Sequence, residues 1–130
     1  MISLVNLDEL GLRILDLVEE YTDEIILKME KVLDETADKA LNYIRSNAPR
    51  SGRTDGFADS FVATPHGEGI NKTITIYSSK KGRLTHLLEF GFTHRSGKFV
   101  APRPFMRPAF DTFTPEMLSE IIRIIESGGN

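Results

Sequence analysis

From Leu7 onward, apolar or small residues return every three or four positions: Leu7, Leu10, Ile14, Leu17, Tyr21, Ile25, Met29, Val32, Thr36, Ala40 and Tyr43. That spacing is one stripe of an amphipathic helix. Leu15, Val18, Ile26, Leu33, Ala37, Leu41 and Ile44 widen the stripe, while Asp16, Glu19, Glu20, Asp23, Lys31, Asp34 and Lys39 fall mostly off it. Asn6 with Glu9 three residues on, and Val5 placed to pack on Leu10, make a capping box with a hydrophobic staple at the start. Pro49 marks the end, because it drives Ala48 out of helical geometry. The pattern predicts a helix over 7–47. Unbroken, it would run roughly 60 Å at about 1.5 Å per residue, longer than a chain of this size is wide. Thr22, followed by Asp23 and Glu24, is a second N-cap signal, so a break near Tyr21 stays open.

Beyond Pro49 the pattern changes. "PRSGRTDG" (Pro49–Gly56) is loop by composition. "FADSFVAT" (Phe57–Thr64) and "KTITIYSS" (Lys72–Ser79) read as strands joined by the turn "PHGEGIN", a hairpin over about 57–79. The second strand is the clearer, with Ile74 and Ile76 alternating against Thr73, Thr75 and Tyr77. "LTHLLEFG" has Leu84, Leu87 and Leu88 at helical spacing, which predicts a short helix over 84–90 with Gly91 as its C-terminal cap. "FTHRSGKFVA" is loop, with a short strand suggested at Lys98–Ala101. A proline-rich segment follows over 99–109. Thr114 then caps a last helix, about 115–126, with Pro115 in its first position. Helices laid on a small antiparallel sheet make the expected class α+β, in a single domain over residues 1–130.

Composition narrows the field. The net charge of −3, from 16 basic and 19 acidic residues, is too balanced to mark a general nucleic-acid or membrane binder. The absence of cysteine excludes disulfides and thiolate metal sites. "MISLVNLDEL" meets charge too early for a signal peptide, and no apolar run approaches a membrane span, so a soluble, unexported chain is expected.

Candidate chemistry is thin. His86 and Glu89 share a helix face and His94 follows, but such spacings arise readily by chance. No base is marked beside Ser60, Ser78 or Ser96, and "GEG" lacks the setting of a phosphate loop. Neither an enzyme nor a cofactor is expected. The basic residues say more. Arg45, Arg50 and Arg53 surround one loop, and Lys80, Lys81 and Arg83 another. Arg95, Lys98, Arg103 and Arg107 interleave with Phe99 and Phe105. Such a pattern can grip a single strand, and a basic-loop nucleic-acid-binding accessory protein is the alternative reading, with Arg50, Arg53, Lys80, Lys81 and Arg83 as its contacts.

The densest signal is "HLLEFGFTHRSGKFVAPRPFMRPAFD". It resembles the small tail-component proteins of long-tailed bacteriophages, the neck or tail-completion proteins, which carry an "EFG" element, a variable loop, a "PF-x-RPA" element and a C-terminal helix. Glu89-Phe90-Gly91 supplies the first element and Pro104 to Ala109 the second. Ser51-Gly52, or Asp55-Gly56 with Ser60, matches more loosely the turn that follows the family's long helix. Phe92 stands where a threonine is usual. The resemblance implies a virion-assembly protein at the head–tail junction, present in the host cytoplasm during assembly. It would act as a ring through which DNA passes without sequence recognition, with other neck or tail proteins as partners. The expected contact residues are Glu89, Phe90, Gly91, Arg103, Pro104, Phe105, Met106, Arg107 and Pro108. Within them, Phe105 and Met106 would anchor. Glu89 is expected to pair with Arg107, within the subunit or across to the next, and Phe105 can serve a partner, the chain's own core, or both.

Overall fold

The computed structural model describes residues 3–6, 9–13, 22–49 and 56–128. Two strands, β1 (Ser3–Asn6) and β2 (Glu9–Arg13), precede the long helix α1 (Asp23–Asn47). The hairpin β3 (Phe61–His66) and β4 (Thr73–Ser78) follows, then helix α2 (Gly82–Phe90). A two-residue ribbon, β5 (Phe92–Thr93) and β6 (Phe99–Val100), leads to helix α3 (Met106–Glu126). One antiparallel sheet has the order β1-β2-β4-β3, and the small ribbon is a second. The expected α+β class with an antiparallel sheet is what the chain adopts.

The first helix is shorter than its periodicity predicts. Thr22 is its cap, accepting from the Ile25 amide at 3.3 Å, with Asp23 and Glu24 in the first turn. The break near Tyr21 is therefore where the helix begins. The helical reading of 9–13 is corrected: these residues pair with β4, Leu10 opposite Ile76 and Leu12 opposite Ile74. Leu10 and Leu12 also fit an alternating pattern, and Gly11 between them disfavours helix by about 1 kcal/mol. A partner strand some sixty residues away decides between two local patterns that both fit. Asn6 and Glu9, the expected capping box, are backbone partners across the β1–β2 pair. The predicted helix at 14–21 lies outside the described residues.

Within α1, Ile25, Met29, Leu33, Thr36, Ala37, Ala40 and Ile44 are buried, the predicted stripe. Ala48 is extended, with ψ 144°, as the following proline requires. The helix lies against β3 and β4, where Ile74 and Ile76 point inward. α3 runs antiparallel to α1: Phe113 meets Tyr43 edge to face at 5.9 Å, and Glu120 lies near Val32. Phe57, Phe61 and Phe105 close the core with three edge-to-face contacts at 5.2, 5.8 and 5.6 Å. Each such contact adds about 0.5–1.5 kcal/mol beyond its burial.

The last helix is longer than predicted. It starts at Met106, nine residues before the expected first position, and Pro115 sits inside it. The local signal of Thr114 and Pro115 is overridden by a cap supplied from another element. Residues 106–109 of the expected proline-rich segment are thus helical.

Candidate functional site

α2 is held at its start by the β3–β4 hairpin. The Ser78 hydroxyl accepts from the Lys81 amide at 2.9 Å and shares a hydrogen bond with Ser60 at 2.6 Å. Thr85 and Glu89, one turn apart, form the buried side of this helix, while Leu84 and Leu88 pack at the core's margin. The helix ends as predicted at Gly91, whose amide donates to the Leu87 carbonyl at 2.8 Å. Gly91 has φ +74°, and a Cβ there would stand 2.7 Å from the Val100 carbonyl oxygen and 3.0 Å from Pro102. No other residue fits both the backbone and the space. The returning chain is fastened again where the Arg103 amide donates to the Leu88 carbonyl at 2.7 Å.

These turns bring Glu89 to the first residues of α3. One carboxylate oxygen accepts from the amides of Phe105 and Met106 at 2.6 and 2.7 Å, and the other from Arg107 at 3.3 Å. A helix start leaves four amides without a partner inside the helix. Here three donate to one carboxylate, and the fourth position is Pro108, which has no amide hydrogen. The negative charge also suits the positive end of the helix dipole. Glu89 is only 8% exposed, so this satisfaction is required rather than optional.

The geometry corrects one expectation. Glu89 and Arg107 are not an ion pair: the carboxylate is taken by backbone amides. The Arg107 guanidinium lies 3.2 Å from Asp111 on its own helix and 5.6 Å from the Phe110 ring centre. The side chain is a flexible cation, while Asp111, one turn on, is the nearest carboxylate its own helix can offer. A carboxyl search by sequence could not separate these, since both partners lie within reach of the same residue.

The predicted contact residues do come together. Glu89, Phe90, Pro104, Met106, Arg107, Pro108 and Asp111 line a groove of about 500 Å³, mostly apolar. Phe90 stays 48% exposed at its edge. Arg103 is exposed beside it, and Gly91 lies outside its lining, packed on Val100 and Pro102. Phe105 points away: at 2% exposed it belongs to the aromatic core, so the reading of this ring as the chain's own packing is the one realised. Asp111 is the groove residue that sequence reasoning missed; its spacing of four from Arg107 was the available signal.

The other candidates disperse. Among the described residues, no group of three or more His, Asp or Glu is placed to hold a metal. His86 leans on Phe90 at 5.2 Å, Glu89 caps α3, and His94 bonds Ser96 at 3.1 Å. Of the expected nucleic-acid contacts, Arg50 and Arg53 lie outside the described residues. Lys80 and Arg83 are exposed, and Lys81 sits at the start of α2. Arg45 turns inward and donates to the Phe61 carbonyl at 2.7 Å. No described helix is long and apolar enough to cross a membrane.

A family model described as "Bacteriophage HK97-gp10, putative tail-component" matches residues 13–91, more than half of the chain. The match ends at Gly91, the last residue of the "EFG" element, and the helix start that Glu89 caps lies just beyond it. Comparison with curated proteins and with solved structures finds no match.

Proposed function

The chain belongs to the HK97-gp10-like family of bacteriophage tail components, and on that premise we propose that it is a structural subunit of the head–tail junction, a tail-completion or neck protein that works as a closed ring. The observation that carries this reading is the groove between α2 and α3. Its walls are fixed by Glu89, Gly91 and three prolines, so little order is lost when another chain docks. Its lining is apolar, with Arg103 and Arg107 at the rim to set register. A tight preformed groove with no convergent acid–base set fits recognition of protein, and supports assembly without catalysis.

In this reading the partners are further copies and neighbouring neck or tail proteins, and the protein resides in the virion after assembling in the host cytoplasm. DNA passes through the lumen without sequence readout. A net charge of −3 supports a lumen that does not hold the passing phosphates.

Removing the gene from a phage that carries it tests the proposal. Filled heads and tails that fail to join, restored by supplying the chain, are expected. Infectious particles maturing without it would overturn the reading. A gel shift with short DNA at low and moderate salt separates the nucleic-acid alternative, which requires salt-sensitive binding by the isolated chain.

A further inference from the structure

We propose that the occupant of the α2–α3 groove is a second copy of this chain, inserting Leu27 head to tail. This rests on the ring reading above. Leu27 is 66% exposed on α1, the most exposed large apolar side chain among the described residues. It stands one turn from Asp23 and Glu24 at the acidic start of that helix. The groove offers what such a residue needs: Phe90, Pro104, Met106 and Pro108 as apolar walls, and Arg107 exposed at the edge beside Arg103. Asp23 and Glu24 of one copy would meet the arginines of the next, exchanging the local pairs Glu24–Lys28 and Arg107–Asp111 for contacts between copies.

The two patches lie at opposite ends of the chain. Ile26 lies close to Gly69, at the turn between β3 and β4. The groove lies at the opposite end, because Phe105 packs on Phe61 and the Phe61 carbonyl accepts from Arg45 near the end of α1. Leu27 and Arg45 are separated by eighteen helical residues, roughly 27 Å. Two such patches can pair reciprocally across a two-fold axis, which closes at the dimer, or join copy to copy in one direction. The ring reading selects the second, a heterologous contact that closes when its rotation allows and that gives products beyond the dimer on cross-linking.

The chain has no cysteine, which makes the contact testable by cross-linking. Both Leu27 and Pro104 are exposed, and an unchanged melting curve for each single variant verifies that the fold is kept. In assembled particles carrying the double variant Leu27→Cys with Pro104→Cys, a short bis-maleimide is expected to give a covalent ladder. Each single variant should give none. No ladder with the double variant, or dimers from Leu27→Cys alone, would overturn the contact. Leu27→Lys should weaken self-association roughly tenfold or more, the loss from exposing one leucine. If Leu27→Lys particles carry rings at normal occupancy, this contact is wrong while the ring stands. If wild-type particles hold a single copy, the ring reading itself falls.

Discussion

The two long helices begin in different ways. α1 begins with a local cap: Thr22 accepts from an amide three residues on, and Asp23 and Glu24 follow. α3 has no side-chain cap of its own. Its first amides are met by Glu89, sixteen to eighteen residues earlier, at the end of another helix. A local cap works wherever the helix forms. A remote cap works only once α2 is docked, Gly91 has turned the chain, and β5 and β6 have brought it back. The first device stabilises a helix. The second ties the helix start to the surface that surrounds it, so the groove and the beginning of α3 form together.

The sharpest way to break this difference is Glu89→Ala. It strands two buried amides and a third that is part-buried, at an expected cost of about 3 kcal/mol. Glu89→Gln keeps one carbonyl oxygen for Phe105 and Met106 and should cost about half as much. Denaturant midpoints at constant slope measure both, and amide exchange at Phe105, Met106 and Arg107 locates the damage. A cost below about 0.5 kcal/mol for the alanine variant would mean that water replaces the carboxylate freely. Next comes Gly91→Ala. It forces a side chain to positive φ and into the Val100 carbonyl, at about 2 kcal/mol, and should expose the same amides. Thr22→Ala is smaller, about 1 kcal/mol, and its effect on exchange should stay in the first turn of α1.

The contrast also explains what could be read from the sequence. Thr22-Asp23-Glu24, the buried stripe from Ile25 to Ile44, the alternation of Ile74 and Ile76, and the stop at Gly91 all act over a few residues. Each was legible. What escaped depends on distant partners. Leu10 and Leu12 suit a helix or a strand until β4 is present to pair with them. Thr114 and Pro115 carry every local mark of a helix start, yet Glu89 moves that start to Met106. Most residues of "EFG" and "PF-x-RPA" meet at one groove, but which of them caps, packs or lines it could not be read from the sequence. Phe105 belongs to the core, Glu89 caps a backbone while lining the groove, and Phe90, Pro104, Met106, Arg107 and Pro108 line it with Asp111.

The smallest expected effect separates those roles most cleanly. If Glu89 and Arg107 were partners, removing both would cost less than the sum of removing each. The structure gives Arg107 to Asp111 instead, as an exposed pair worth about 0.2–1 kcal/mol. The backbone amide that Arg107 donates to Glu89 survives a change of its side chain. Arg107→Ala and Glu89→Ala should therefore add within about 0.5 kcal/mol in a double-mutant cycle of unfolding free energies. Coupling above about 1 kcal/mol would restore the ion pair and undo the separation of cap from rim. With additivity, what Arg107 adds to folding is its exposed pair with Asp111, about 1 kcal/mol at most, while it stands at the edge of the groove. Its replacement should then leave the melting point nearly unchanged and lower incorporation into particles, a division that a residue engaged in the fold cannot produce.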